Sequence, residues 1–431
     1  MADYASTYTN RWYSNDLRNH VASLRAQPLL GEYKWETGGG NVVSQRFGLS
    51  GPQGVGVGDV VSAATIAGQA SDRGQSNVFE WLVPPGTIEG YIQIPYKDTA
   101  ISRTSRDAIR RAVDFQMESG RLQHANNIVR LLLGPTGRAY GRAVFTAATG
   151  TLDFDPNSTL DQAAAAIFPG DIVVISANDG SLSSHTQVGD PGFVTAQSID
   201  DNTITVSPTS GGTAGAPAGW VDGTTYYVFK YGTFLPGQTT RMVVGWQDYI
   251  TATAASDTFL NVNRSQSAVL SGARLSSTAA AGKSLPARAK RLAARMKKLL
   301  GMNPVGKLLA IFEAENEFEL ACEQLDSTVV RKPEKTAEYG YTGIEVNSAG
   351  GPITYVSEPW QPAGHFLLLD MGQCRMHSPT GTIFEWAKDG TGSITRLTPA
   401  TGGGNMLECR PVSYLYHVIN EPYSFGRCPT T

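Results

Sequence analysis

Ala281-Gly282-Lys283-Ser284 has the closing residues of a phosphate-binding loop. In such a loop backbone amides wrap the phosphates and the lysine meets their charge. The wrap needs a second glycine five residues before Gly282, but Ser277 stands there, no buried strand precedes it and Pro286 follows at once. The histidines are His20, His124, His185, His365, His377 and His417, and no two are spaced i, i+4 as a helical zinc pair requires. His365, beside Phe366, reads as a half-buried strand residue. No Gly-x-Ser-x-Gly nucleophile turn occurs. Asp153, Asp155, Asp200 and Asp201 have the oxygens for calcium but lack the twelve-residue loop with its closing glutamate. Asp200-Asp201-Asn202 reads as a turn, and no carboxylate pair for glycoside hydrolysis is identifiable. The sequence therefore assigns no catalytic, cofactor-binding or metal residue, and no cofactor.

The surrounding chain agrees with a non-enzyme. It has 431 residues and a formal net charge of −3, enough for about two to four domains and a sizeable core. Charged residues make up 17%, below the roughly 25% usual in globular chains. The 47 glycines and 23 prolines favour strands, turns and loops. The near-neutral balance excludes a binder that is basic throughout, and 9% aromatics exclude an acidic disordered chain. Cys322, Cys374, Cys409 and Cys428 form no C-x-x-C pair and read as reduced thiols. The first residues, Met1 to Ala5, lack the basic and apolar regions of a signal peptide. No apolar run approaches the ~20 residues of a membrane span, so a soluble protein made in a cytoplasm is expected.

Residues 1–50 have no sustained period beyond a short helix at 15–26 and read as an arm that packs on a partner. Asn77-Val-Phe-Glu-Trp-Leu-Val83 and Gly90-Tyr-Ile-Gln-Ile-Pro95 flank Pro84-Pro85-Gly86 and read as a hairpin. With no covering helix nearby, its Phe79, Trp81 and Tyr91 are expected to pack on neighbouring subunits. Residues 104–133 are the clearest helix, with Ile109, Val113, Met117, Ile128 and Leu132 inward and Arg103, Arg106, Arg110, Arg111, Arg121 and Arg130 on the opposite face. Gly120 interrupts it and Gly134-Pro135 ends it.

Residues 151–235 read as an inserted small β domain. Its expected core is Ile172, Val174, Phe193, Ile204, Val206, Tyr227 and Phe229, and its ends should lie close together. A basic helix follows from Pro286 to Leu300, then an acidic helix at about 305–325 around Leu309, Ile311, Phe312, Phe318 and Leu320. The two can pair within or between subunits. Strands close the chain at Gly351–Ser357, His365–Asp370, Thr382–Trp386 and Cys409–His417.

This order of parts resembles the major capsid proteins of tailed bacteriophages. The resemblance is sharper over Tyr339-Gly-Tyr-Thr-Gly-Ile-Glu-Val346, Ile353-Thr-Tyr-Val-Ser-Glu-Pro-Trp-Gln-Pro-Ala-Gly-His-Phe-Leu-Leu-Leu-Asp370 and Glu408-Cys-Arg-Pro-Val-Ser-Tyr-Leu-Tyr-His-Val-Ile-Asn-Glu-Pro422. It implies an α+β fold of the Hong Kong 97 type. The implied layout is an N-terminal arm at 1–50, an extended loop at 51–100 and a peripheral domain with a spine helix at 101–150. The inserted β-barrel-like domain at 151–235 departs from the minimal pattern. A return to the peripheral domain at 236–250, an axial domain at 251–390 and closing peripheral strands at 391–431 complete it. The implied function is self-assembly into an icosahedral head around double-stranded DNA. The implied partners are copies of itself in hexamers and pentamers, portal and scaffolding proteins, decoration proteins as an optional addition, and packaged DNA by non-specific contact, with no membrane. The implied place is the virion, assembled in the host bacterial cytoplasm. The rival readings are an encapsulin-like nanocompartment shell and a carbohydrate-active β-rich enzyme.

Overall fold

The strand Leu308-Leu-Ala-Ile-Phe-Glu313 is buried at every position. A run buried on both faces is the pattern of a central strand in a covered sheet. In the computed structural model it is the middle of seven strands, in the order Ala273–Arg274, Phe425–Pro429, His365–Asp370, Leu308–Glu313, Gly351–Glu358, Ile344–Ser348 and Lys332–Pro333. The structure describes residues 33–38, 42–50, 77–89, 92–95, 124–133, 139–154, 163–178, 186–231, 243–300, 306–313, 317–325, 332–333, 344–358, 360–379, 385–387, 395–399 and 405–430.

Leu308–Glu313 runs parallel to Gly351–Glu358 and antiparallel to His365–Asp370. One face of the sheet carries the helix Leu285–Leu300. Its Leu285, Ala289, Leu292, Ala293 and Met296 recur at helical spacing and are buried against Leu308, Ala310, Phe312, Phe366 and Leu368. Gly426 lies beneath Leu292, where a Cβ would come within 2.9 Å of the leucine side chain, so the helix rests almost on the strand's backbone. Leu309, Ile311, Leu367 and Leu369 project from the other face into a second core.

That core is closed by a sheet built on the long strand Pro411–Ile419. It pairs with Cys374–Ser378, Glu385–Trp386 and Gly86–Glu89, and Lys34–Thr37 adds in parallel to Cys374–Ser378. Ile92–Pro95 pairs with Asn405–Cys409, which pairs with Thr395–Pro399. The chain is helical over 124–133, where Ala125, Ile128, Val129 and Leu131 to Leu133 enter the same core. His124 Nε2 lies 2.7 Å from the Ser413 hydroxyl, tying helix to strand.

Six strands form a closed barrel in the order Thr203–Ser207, Thr151–Phe154, Gly141–Thr146, Thr225–Lys230, Ile172–Ser176 and Gln187–Ser198. Closure leaves no sheet edge. Its first strand lies ahead of residue 151, and its ends are neighbours: Gly141 is registered with Val228, and Tyr140 N donates to Val228 O over 2.7 Å.

Five sequence expectations need correction. Asn77–Val83 does not pair with the strand beyond Pro84-Pro85; it pairs with Val43–Ser50, so a strand replaces part of the expected arm. The two prolines hold the chain extended and carry it from one sheet to the next instead of reversing it. Residues 308–313 are strand where a helix was expected, and the acidic helix is only Glu317–Glu323. Arg130 is buried, with its guanidinium 3.8 Å from the Tyr140 ring centre. The barrel core contains Val173, Ile175, Val194, Tyr226 and Val228, so the expected Ile172, Val174, Phe193, Tyr227 and Phe229 belong to the opposite face, while Ile204 and Val206 are correct. Both parities are apolar in these strands, and a shift of one residue flips every side chain. Finally, Phe425–Pro429 belongs to the seven-stranded sheet, away from Pro411–Ile419. The helix at 15–26, the arginines from Arg103 to Arg121, Ile109, Val113, Met117 and the segment 339–343 lie outside the described residues.

Candidate assembly surfaces

The Val43–Ser50 and Asn77–Val83 hairpin alternates cleanly, as a strand pair lying on a core should. Phe47, Trp81 and Val83 face inward and are buried. Trp81 stacks on Phe47 at 5.1 Å and meets Tyr249 and Phe259 edge-on at 5.8 and 5.7 Å. This overturns the expectation that Trp81 reaches a neighbouring subunit: its indole is fully covered by its own chain. Phe79 leans on Phe47 and is partly buried, and Tyr91 lies outside the described residues. The outward row is Ser44, Arg46, Val78, Glu80 and Leu82. Arg46 and Glu80 pair at 3.5 Å, and Ser44 donates to Glu80, which holds that carboxyl below its ordinary range. Val78 is 61% exposed at one end of the hairpin, and Val42 and Leu82 are exposed at the other.

Beneath the hairpin lies a polar hub in an apolar core. His417 Nδ1 lies 2.7 Å from Val244 O and so carries the proton, which leaves Nε2 as acceptor facing the Tyr33 hydroxyl at 3.4 Å and Cys374 Sγ at 3.5 Å. Tyr249 donates to His417 O over 2.7 Å. A cysteine beside a histidine is the geometry of a nucleophilic pair. Here burial pushes the Cys374 thiol well above its ordinary value, and the thiol is covered. Burial thus favours the neutral thiol, the opposite of what an activated nucleophile needs.

The structure places several of the other sequence candidates. Lys283 is exposed in the link between the short helix Ser277–Ala280 and the basic helix, and its carbonyl accepts from Arg288 Nε. Burial lowers His124 to about 4 and His365 to about 3, and lowers His377 as well. Asp201 caps the expected turn through Ser198, and Asn202 takes a left-handed φ of 50° there. Asp155, His20 and His185 lie outside the described residues. Among the described residues no group of three or more His, Cys, Asp or Glu is placed to hold a metal, and no helix is long and apolar enough to cross a membrane. Cys322, Cys374, Cys409 and Cys428 are not in disulfides.

At one end of the seven-stranded sheet, Glu313 and Glu358 are register partners on parallel strands. Glu358 is fully buried, and burial pushes its carboxyl up to about 8. The Trp360 amide partly offsets this, and among the described residues neither carboxyl oxygen has a hydrogen-bond partner. Glu317 nearby accepts from Gly364 N at 2.7 Å and Thr430 Oγ1 at 2.6 Å, although burial still raises it. Sequence spacing does not single out this cluster, because its three glutamates come from three separate elements.

Two charged helices complete the surface. Arg291, Arg295, Lys297 and Lys298 are exposed on Leu285–Leu300. Arg291, Arg295 and Lys297 donate to the carbonyls of Ala279, Arg274 and Ala349. Glu319 and Glu323 are exposed on Glu317–Glu323. A shallow groove there is lined by Phe318, Glu319, Cys322, Glu323 and Ile344.

No family model matches the chain, and no curated protein matches it. Solved structures do. A chain of the Cyanophage A-1(L) capsid asymmetric unit is similar at a TM-score of 0.50 and 12% identity, with 94% of this chain and 93% of that chain covered. A chain from Mycobacterium phage Ogopogo matches at 0.41 and 10% identity, covering 93% and 91%. The holo-SrpI encapsulin complex from Synechococcus elongatus matches at 0.36 and 7% identity, covering 94% and 86%. The cyanophage likeness establishes a shared α+β fold along nearly the whole chain.

Proposed function

We propose that this chain is the major capsid protein of a tailed bacteriophage, a structural subunit whose copies assemble in hexamers and pentamers into an icosahedral head around double-stranded DNA. The observation that carries the reading is the end-to-end likeness to the cyanophage capsid subunit, 94% of one chain against 93% of the other. The hairpin supports it: an outward row with Val78 and Leu82 exposed is a surface that a neighbouring subunit covers. In this reading the seven-stranded sheet is the axial domain, and the sheet on Pro411–Ile419 with the 124–133 helix is the peripheral domain. The Val43–Ser50 and Asn77–Val83 hairpin is the extended loop.

The barrel is then an insertion that faces outward. Between Gly141 and Lys230 the sequence has nine aspartates against one arginine and one lysine. Packaged DNA attracts Lys and Arg and repels such a surface. Partners follow from the same reading: copies of the chain first, then portal and scaffolding proteins, with DNA contacted non-specifically. The chain has no catalytic role, and the particle forms in the bacterial cytoplasm.

Electron microscopy of the purified, expressed chain tests the reading. Closed shells, tubes or sheets are the expected outcome, and a compact monomer by light scattering and microscopy overturns it. Shells that carry a protein cargo in place of DNA point to a nanocompartment.

A further inference from the structure

We propose that the C-terminal end of the Leu285–Leu300 helix, with Leu299 flanked by Arg295 and Lys298, docks into the groove of Phe318, Cys322 and Ile344 on the next copy of the chain, where Glu319 and Glu323 form the rim. The inference rests on the shell reading and names the contact that joins one subunit to the next around a ring.

Each half is incomplete alone. Leu299 is 39% exposed and Leu300 half-buried at the end of a helix whose Leu285, Leu292 and Met296 are buried. Arg295, Lys297 and Lys298 surround it, and none meets a carboxylate among the described residues. Phe318, Cys322 and Ile344 are only half-buried, so the apolar floor of the groove is uncovered. Glu319 and Glu323 meet no cation among the described residues. An apolar knob in a basic collar and an apolar socket in an acidic rim are complementary in shape and sign.

The two halves cannot satisfy each other within one subunit. Leu285 N donates to Gln324 Oε1 over 2.7 Å, so the helix begins beside the socket. Lys297 donates to Ala349 O over 3.0 Å, so it ends beside the turn after Ile344–Ser348. At 1.5 Å per residue the helix carries Leu299 about 20 Å away from its own socket. A contact between two different patches is heterologous, and repeated head to tail it closes a ring. A double-stranded DNA backbone is the competing occupant for the basic end alone. It offers nothing for Leu299 and leaves the acidic socket empty.

The experiment uses the full-length chain. One variant carries Arg295→Glu with Lys298→Glu, and a second carries Glu319→Lys with Glu323→Lys. Each is expected to melt near the wild-type temperature yet lose about tenfold or more of its assembled fraction, because like charges now face each other. Mixed in equal amounts, the two should assemble again, since the reversed knob of one fits the reversed socket of the other. Alternation closes even-membered rings and excludes five-membered ones, so six-fold sheets or tubes should replace closed shells. Assembly of either variant at wild-type yield overturns the proposal, as does a mixture that stays unassembled. Loss of DNA filling alone by the Arg295→Glu, Lys298→Glu variant, with empty shells at normal yield, overturns it in favour of DNA. A wild-type chain that forms no shells or rings refutes the shell reading itself, a result separate from these.

Discussion

Trp246 Nε1 donates a 2.8 Å hydrogen bond to the hydroxyl of Tyr33, a residue 213 positions earlier in the chain. Tyr33 opens the described N-terminal segment, Trp246 opens a short helix in mid-chain, and both pack on His417 of the long closing strand. One phenol thus joins three distant parts of the sequence. Tyr33→Phe keeps the ring but leaves the buried indole N–H without its acceptor and takes one of two neighbours from His417 Nε2, the other being Cys374 Sγ. The expected loss is about 1–3 kcal/mol of subunit stability. Thermal unfolding of the purified subunit measures it, and an unchanged melting temperature would mean the hub is redundant.

The hairpin separates two kinds of effect. Trp81→Ala removes a covered indole from the subunit core and should cost about 3–5 kcal/mol. Val78→Ser with Leu82→Ser changes only the outward row, so the subunit should melt as before while shell yield falls. Calorimetry reads the first and sedimentation the second.

Glu358 makes stability depend on pH. The unfolded chain releases this proton near the ordinary 4.5, whereas the folded subunit holds it to about 8. Between those values the folded state binds the extra proton, so stability falls as pH rises and levels off above 8. Glu358→Gln cannot ionise. Its advantage over the wild type should be small at pH 5, grow through pH 7 and reach a few kcal/mol by pH 8 to 9. Melting temperatures across that range that run parallel for the two proteins would show that the carboxyl is not buried in solution.

Because Gly141 and Val228 are neighbours, a short linker can replace the barrel without moving the flanking chain. A chain lacking 141–230 should fold, keep the melting transition of the remaining core and still assemble. Loss of folding on excision would mean that the small cluster of Ala139, Val174 and Phe229, which lies outside the barrel core, is indispensable.

Much of this fold is legible in the sequence where apolar spacing is unambiguous. The Leu285–Leu300 helix shows one period only, and Gly351–Glu358 and His365–Asp370 are apolar runs bounded by turn residues. Leu308–Glu313 misleads because a strand buried on both faces has no period at all. The barrel register fails for a related reason: Ile172 to Ile175 is apolar at every position, so parity is set by the neighbouring strands. The candidate surfaces were the least legible. Val78 and Trp81 look equally apolar in sequence, and only Phe47, Tyr249 and Phe259 decide which of them is consumed inside the subunit.

Phe425–Pro429 lies inside the seven-stranded sheet, hydrogen-bonded to His365–Asp370 on one side and Ala273–Arg274 on the other. The ribosome makes this strand long after the two it joins. Until it emerges, the nascent sheet has an open edge at His365–Asp370, and the basic helix has no Gly426 on which to settle. Such late, non-local pairing is slow. Synthesis itself therefore acts as a timer: the seven-stranded sheet closes over this edge only once the chain has been made past residue 429.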